Sequence, residues 1–318
     1  DLQTQIDTIV CAAGTWSGHS RAPFDFEYQG RSAVTEASPT DDLNVVYFSE
    51  ENSNEALAST FFYRISGTDR LVGFDMVFWK ATNDNENIWQ AGAEPVEGEW
   101  DLWGAAVHEF GHALHQMLSD VTYESVSGTS VARDFVELPS QLFEHWLEVP
   151  DVLSQFATHA RTGDPMPPEM LEKVLGAANF DMGFATVEYV ASALVDLEFH
   201  DGAAPADPME KQAQVLADLG MPPAITMRHA TPQFAHVFSG DGYSSGYYSY
   251  MWSEVMDADA FAAFEEAGSA FDPDRAAALE QHILSTGGSQ DAAELYKAFR
   301  GRLPGVEALL KGRGLTAG

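Results

Sequence analysis

Residues 101–118 read DLWGAAVHEFGHALHQML, and this stretch decides the fold of the chain. Apolar side chains recur in it every three or four residues, which is the period of an α-helix with one buried face. Asp101 is a residue type that caps the first turn of a helix. The stretch therefore predicts one amphipathic helix from Asp101 to Leu118. Its apolar stripe consists of Trp103, Val107, Phe110 and Leu114.

The same helix carries the pattern His-Glu-x-x-His. His108 and His112 are four residues apart, so both imidazoles lie on one face and can bind one ion. Glu109 lies beside that ion without being a ligand, and its carboxylate can accept a proton from a metal-bound water. The pattern favours a zinc peptidase, although the same spacing also occurs on solvated helices that bind no metal.

Two histidines do not complete a catalytic zinc site, which usually takes three protein ligands and a water. In metzincins the pattern continues as HExxHxxGxxH. His115 and Leu118 occupy the places of that glycine and third histidine, which excludes the metzincin class. A carboxylate from the next helix is the alternative, and DFVELPSQ at 134–141 is the candidate stretch. We interpret His115, which points partly off the ligand face, either as structural or as a residue that supports a ligand.

Four motifs follow one another in the second part of the chain: HEFGHALHQ at 108–116, SGT at 127–129, DFVELPSQ at 134–141 and GDGYSSGYYSYMW at 240–252. In these motifs and in their order, the chain resembles the thimet oligopeptidase and peptidyl-dipeptidase Dcp family of zinc metallopeptidases. The resemblance covers residues 105–318. It implies a peptidase that acts on oligopeptides.

The resemblance implies that Glu137 is the third ligand, so that His108, His112 and Glu137 hold one zinc ion per chain. Glu109 then accepts a proton from the attacking water and returns it to the leaving amine. Asp134 precedes Glu137 by one turn, and we expect it to accept a hydrogen bond from a zinc-bound histidine. A carboxylate that faces water at the start of the helix is the alternative interpretation of Asp134.

By the same resemblance, His236, Tyr243 and Tyr250 stabilise the oxyanion of the intermediate, and Tyr247 is a weaker candidate. Without the family, four tyrosines at positions 243, 247, 248 and 250 would more often pack in a core or an interface. Glycines around them predict a mobile segment that closes over bound peptide. These glycines are Gly240, Gly242 and Gly246.

The composition restricts the partners of the chain. Its 318 residues include 16 Lys and Arg against 49 Asp and Glu, which gives a formal net charge of −33. Nucleic acid and anionic membrane surfaces repel such a protein, and no apolar run reaches the roughly 18 residues of a membrane span. The single cysteine, Cys11, excludes an internal disulfide framework. We expect peptide substrates as partners and a monomer in solution.

The sequence pattern changes near residue 100. Before it, β-branched and aromatic runs between Gly, Asn, Asp and Ser clusters predict a small sheet with one helix. After it, the period is helical. We therefore predict an α+β, zincin-like fold: a mixed sheet within residues 1–100, a mostly helical zinc-peptidase part at 101–318, and the active site between them. Later helices are predicted at 132–147, 168–175, 183–199, 209–219, 243–266, 273–284 and 292–299.

Residues 1–104 resemble, more weakly, the upper part of a matrixin-type metallopeptidase domain. The likeness rests on the order of a helix and strands that lead into the HExxH helix. An edge strand of such a sheet can pair with an extended peptide, and Ala58–Ile65 and Leu71–Trp79 are the candidates. The family resemblance implies a cytoplasmic enzyme, whereas a dominant matrixin likeness would imply a secreted one.

These observations favour a zinc-dependent metallopeptidase that hydrolyses oligopeptides, and they leave a peptidyl-dipeptidase-like mode of cleavage open. Two alternatives remain. The first is a zinc-binding but catalytically silent peptide binder, and the second is a matrixin-like secreted endopeptidase. Metal content and peptide cleavage, measured on the same preparation, distinguish an enzyme from a binder.

Overall fold

The computed structural model describes the backbone of residues 46–53, 58–64, 71–82, 85–86, 88–90, 99–157, 159, 162 and 164–315. Side chains are described for Met76, for Phe78 and, within those ranges, from Gly104 onwards. The helix predicted near the start of the chain and Cys11 lie outside the described residues.

The described part of residues 46–101 contains six strands: β1 (Val46–Ser53), β2 (Ala58–Arg64), β3 (Leu71–Thr82), β4 (Asn85–Glu86), β5 (Ile88–Gln90) and β6 (Glu99–Asp101). Strand β3 lies between β1, which is parallel to it, and β2, which is antiparallel. A strand flanked on both sides has no free edge for a peptide. The prediction that Leu71–Trp79 forms such an edge is therefore wrong, whereas β2 lies at an edge of the described strands.

Helix α1 (Leu102–Met117) agrees with its prediction to within one residue at each end. Val107, Phe110 and Leu114 are at most 3% exposed, as an apolar stripe at helical spacing requires. The side chain of Trp103 lies outside the described residues. The stripe directs the opposite face of α1, with His108 and His112, away from the core.

The chain continues as helices α2 (Arg133–Val136), α3 (Leu138–Glu144), α4 (Pro150–Phe156), α5 (Pro168–Ala177), α6 (Met182–His200), α7 (Pro208–Asp218), α8 (Ala235–Phe238), α9 (Ser249–Ala267), α10 (Pro273–Leu279), α11 (Ala292–Arg300) and α12 (Glu307–Gly312). Asp207, Asp272 and Asp291 cap α7, α10 and α11, because each side chain accepts two backbone N–H groups of the first turn. Shorter turns are Glu124–Val126, His145–Glu148, Thr231–Gln233 and Glu280–Leu284.

Two predicted helices are interrupted in the structure. The helix predicted at 132–147 is divided into α2 and α3 around Glu137, two residues before Pro139. A proline has no N–H to continue the helical ladder, so a break before it is expected. The helix predicted at 243–266 begins only at Ser249. Both interruptions fall on predicted site residues, and they therefore determine where those side chains point.

The predicted α+β class is wrong. Among the residues whose side chains the structure describes, 23 buried apolar residues form the main core, and Met76 and Phe78 are its only members from a strand. The others lie on helical segments, which also supply most of the residues whose side chains are described. β-branched and aromatic runs before position 100 predicted the strands at 46–53, 58–64 and 71–82 correctly, but most of the described elements are helices. The described fold is helical.

A second, smaller core lies between α6, α7 and the chain around α8. It consists of Val195, Val215, Met227, Phe234 and Val237, with Tyr243 and Tyr247 packed against it. Within the described residues, no helix is both long and apolar enough to cross a membrane. The division of the chain into two parts at residue 100, with the active site between them, stays a prediction.

Candidate metal centre

His108, His112 and Glu137 converge in the structure, and each offers one ligand atom within 4.8 Å of the others. Nε2 of His108 and Nε2 of His112 are 3.2 Å apart. Oε2 of Glu137 lies 3.3 Å from the first nitrogen and 3.1 Å from the second. A tetrahedral ion with bonds of about 2.0–2.1 Å separates its ligands by roughly 3.3–3.4 Å. The three atoms therefore fit three corners of one metal site.

Close packing of α1 on α3 brings the third residue to the two histidines. A Cβ on Gly111 would lie 2.6 Å from Cα of Ser140, so only glycine permits this approach. The hydroxyl of Ser140 lies 3.1 Å from Oε2 of Glu137, to which it donates a hydrogen bond. Gly111 is the fourth residue of the five-residue motif, and it thus sets the distance between the helix that carries the histidines and the helix that follows Glu137.

The charges of this cluster are coupled. Burial opposes ionisation of Glu137, but hydrogen bonds with His108 and His112 outweigh it and hold the pKa of that carboxyl well below its usual range. Burial also opposes protonation of His108, whereas its contacts with Glu137 and Glu144 raise the pKa of the imidazole. Two imidazoles around one ionised carboxylate form a donor set that suits a divalent cation.

Glu144, at the end of α3, contacts the outer nitrogen of His108. Nδ1 of His108 lies 2.7 Å from Oε1 of Glu144, so the ring donates to the carboxylate and its Nε2 remains available for a metal. Sequence analysis missed Glu144 and assigned this role to Asp134. The missed signal was the spacing of seven residues from Glu137, which corresponds to two helical turns on the same face.

Asp134 occupies a different place from the predicted one. Its carboxylate accepts a hydrogen bond from the hydroxyl of Tyr248 at 3.3 Å, and its carbonyl accepts one from Ser253 at 3.2 Å. In the described part of the chain it makes no hydrogen bond to His108 or His112. The predicted hydrogen bond to a ligand histidine is therefore corrected: Asp134 connects α2 to the start of α9.

An open cleft of about 410 Å³ lies at the metal centre. Glu109, the predicted general base, is 8% exposed and lines this cleft together with His112 and Glu137. A carboxylate in this place could accept a proton from a water held in the cleft. The remaining lining residues are Thr129, Val131, Arg133, Val136 and Tyr243.

Tyr243, Tyr250 and His236 form one aromatic group at the edge of the cleft. The rings of Tyr243 and Tyr250 are stacked with centroids 5.6 Å apart. Nε2 of His236 lies 3.2 Å from the hydroxyl of Tyr250. Burial, Tyr243 and the charge of Glu137 raise the pKa of the Tyr250 hydroxyl, which keeps it neutral and able to donate. The guanidinium of Arg133 lies 4.3 Å from the ring centroid of Tyr243.

His115 lies inside the core and not at the metal centre. It is fully buried, and burial lowers its pKa to about 3, so the ring is neutral. Neither ring nitrogen has a hydrogen-bond partner among the described residues. This placement agrees with the interpretation of His115 as structural.

Comparison with known proteins gives a family match over most of the chain. The sequence profile of peptidase family M3 matches residues 100–315. Over 231 residues the chain is 36% identical to dipeptidyl carboxypeptidase of Escherichia coli (strain K12), an alignment that covers 71% of this chain and 34% of that protein. Over 212 residues it is 39% identical to oligopeptidase A of the same strain, covering 65% of this chain and 31% of the relative.

The chain spans about a third of the length of these curated relatives. Among solved structures, an M32 carboxypeptidase from Deinococcus radiodurans R1 superposes with a TM-score of 0.54 over 98% of this chain and 57% of its own, at 15% identity. That likeness concerns the fold alone. The family match begins at residue 100 and lends no support to the matrixin likeness of residues 1–104.

Proposed function

The chain belongs to peptidase family M3, and from this premise we propose that it is a zinc-dependent metallopeptidase that hydrolyses oligopeptides through a metal-activated water. The observation that carries the proposal is the triangle of ligand atoms of His108, His112 and Glu137, 3.1–3.3 Å apart, beside the carboxylate of Glu109 in one cleft. The names of the relatives, dipeptidyl carboxypeptidase and oligopeptidase A, support peptides as the substrate class.

Zinc is the metal that this donor set fits. Two imidazole nitrogens and one carboxylate oxygen occur together in catalytic zinc sites, with a water in the fourth position. Zinc bound there would lower the pKa of that water and polarise the carbonyl of the peptide bond. His108, His112 and Glu137 would hold the ion, and Glu144 would hold the ring of His108 in the orientation that presents Nε2.

Glu109 is the proposed general base. Its carboxylate faces the same cleft as two of the ligands, so it can accept the proton of the attacking water and pass it to the leaving amine. The hydroxyl of Tyr250, kept neutral by burial, would donate to the oxyanion that develops on the peptide carbonyl, and His236 and Tyr243 hold that hydroxyl in place.

Arg133 supports a peptidyl-dipeptidase-like mode of cleavage. It is an exposed cation at the wall of the cleft in a protein with 49 acidic and 16 basic residues. Among the described residues it has no carboxylate partner, and its guanidinium stacks on Tyr243. A guanidinium in this place suits the C-terminal carboxylate of a short peptide. We also propose, by resemblance, a monomer with a cytoplasmic location.

The decisive experiment measures zinc content and cleavage of an internally quenched oligopeptide on the same preparations. We expect about one zinc per chain and cleavage that a chelator abolishes and zinc restores. Glu109→Gln should keep its zinc and lose activity by about 10²- to 10⁴-fold, because the general base is removed. Glu137→Ala should lose the zinc itself. Glu169→Gln, an exposed carboxylate on α5, is the matched control.

The same experiment tests the alternative of a catalytically silent peptide binder. Wild-type protein that retains zinc and binds the peptide without cleaving it would support the binder and contradict the proposed activity. Unchanged zinc affinity in Glu137→Ala would contradict the ligand assignment. Digestion of one peptide as its free acid and as its C-terminal amide then distinguishes the modes of cleavage, since release of C-terminal dipeptides requires the free carboxylate.

A further inference from the structure

Asp196 is a fully buried carboxylate on α6, and it contacts the residues that carry the cleft tyrosines. We call residues 243–251 the tyrosine segment. Oδ1 of Asp196 accepts a hydrogen bond from the backbone N–H of Ser245 at 3.0 Å, and Oδ2 accepts one from the N–H of Tyr247 at 2.9 Å. Nδ1 of His200, one turn further on α6, lies 2.8 Å from Oδ1.

These bonds explain why residues 243–248 of the tyrosine segment are not helical. Ser245 has a φ of 57°, a left-handed conformation that costs energy for a residue with a side chain. In it, the N–H groups of Ser245 and Tyr247 both point at one carboxylate. A buried carboxylate is stable only when hydrogen bonds satisfy its oxygens, so Asp196 and the strained segment stabilise each other. The helix starts at Ser249, after the last of these contacts.

A second residue of α6 holds the same segment. Tyr189 precedes Asp196 by seven residues and thus lies on the same face of the helix. Its hydroxyl donates to the carbonyl of Tyr247 and accepts from the N–H of Met251, the latter at 3.3 Å. Its ring stacks on that of Tyr247, with centroids 5.2 Å apart. The segment is therefore attached to α6 at Ser245, at Tyr247 and at Met251.

We propose that Asp196 is a positioning residue of the active site: it holds the tyrosine segment in the conformation that directs Tyr243 and Tyr250 to the metal cleft. The inference rests on the proposed function for its catalytic consequence, but the anchoring itself does not depend on it. It also changes the interpretation of this region. The glycine-flanked tyrosines are attached from behind, through Ser245 and Tyr247, to the carboxylate of Asp196.

Asp196→Asn is the direct test, because the amide keeps the volume but presents one N–H₂ group to a backbone N–H. We expect kcat to fall by about 10- to 100-fold, as for a misplaced catalytic group, with KM within about 2-fold and zinc content unchanged. Hydrogen exchange at the amides of Ser245 and Tyr247 should accelerate at least about 10-fold. The control is Glu198→Gln, which replaces an exposed carboxylate of α6 that pairs with Lys211. It should change neither kcat nor the hydrogen exchange of Ser245 and Tyr247.

A double-mutant cycle with Tyr250→Phe separates positioning from a general loss of structure. If Asp196 acts through Tyr250, then Asp196→Asn should cost less than about 3-fold in kcat once the hydroxyl is absent, because the two effects are not additive. A full loss in the Tyr250→Phe background would overturn the positioning role. Should Asp196→Asn fail to fold, Tyr189→Phe removes the second attachment alone and must shift kcat and exchange in the same direction.

Different experimental results would contradict the anchoring by Asp196 and the proposed function. A wild-type protein that cleaves no peptide contradicts the proposed function, and hydrogen exchange still reports on the anchor. Unchanged exchange at Ser245 and Tyr247 in Asp196→Asn overturns the anchor, whatever the activity of the wild type.

Discussion

The metal centre and the tyrosine segment contribute to the same cleft, but different interactions hold them. His108 and His112 lie on one continuous helix, and their spacing along that helix places both rings on one side. Tyr243 lies before the first turn of α9, and its segment depends on hydrogen bonds with Asp196 and Tyr189, more than 45 residues away in the sequence. One region is positioned by local geometry and the other by distant contacts.

This difference teaches which changes each region tolerates. A helix keeps the spacing of its side chains as long as its backbone hydrogen bonds persist. The relative placement of the two histidines therefore needs little tertiary packing, which is required mainly to bring Glu137 close to them. The tyrosine segment contains strained backbone at Ser245 and no continuous helical ladder. Its conformation depends on two buried partners, Asp196 and Tyr189. The two regions should therefore respond separately to substitution.

The largest difference between an effect on kcat and an effect on zinc affinity is expected from Tyr250→Phe. If Tyr250 acts as proposed, removing its hydroxyl deletes one donor to the oxyanion, which should cost about 10²- to 10³-fold in kcat. Zinc affinity should not change, because Tyr250 is not a ligand. Steady-state kinetics and zinc titration on the same protein check both statements. A lower zinc affinity in this variant would show that the two regions are not independent.

A smaller effect, on zinc affinity instead of kcat, is expected from Glu144→Gln. The neutral amide holds the ring of His108 less firmly, so zinc affinity should fall by about 10- to 100-fold. At saturating zinc, kcat should return to within a few-fold of the wild type. Competition with a chromogenic chelator measures the affinity. Asp134→Asn, which changes the carboxylate bonded to Tyr248, is the control and should leave zinc affinity unchanged.

The smallest effects are expected when one glycine from each region is replaced by alanine. Gly111→Ala would place a Cβ 2.6 Å from the backbone of Ser140, so the free energy of unfolding should fall by about 1–3 kcal/mol, with weaker zinc binding. Gly242→Ala would meet only the side chain of Arg133 at 4.0 Å, and we expect a change within about 0.5 kcal/mol. Urea unfolding measures both.

Turnover by Gly242→Ala then decides between a mobile and a fixed segment. A fixed wall predicts kcat within about 2-fold of the wild type, because the segment does not need the extra freedom of glycine at this position. A marked fall in kcat without a change in stability would favour the closing loop that the glycines predict from sequence, and it would count against the anchor at Asp196.

Much of the metal centre could be predicted from sequence because its chemistry imposes a spacing. The pair His108 and His112 follows from the period of the helix, and the family motif supplied Glu137 and Glu109; the ligand and catalytic roles of these residues stay predictions. Glu144 was missed, because a glutamate at the end of a helix has no distinctive neighbours. Asp134 was misplaced, because helical spacing alone cannot say whether a side chain points at α1 or at α9.

The sequence by itself determined the helix α1 and the family, since periodicity and motif order are local properties of a chain. Only the tertiary structure decided that the described fold is helical, that Gly111 permits the approach of α3, and that the carboxylate of Asp196 accepts hydrogen bonds from the tyrosine segment. The physical reason is the range of the interactions. Helical hydrogen bonds join residues four apart, whereas the satisfaction of a buried charge depends on which distant backbone groups packing brings to it.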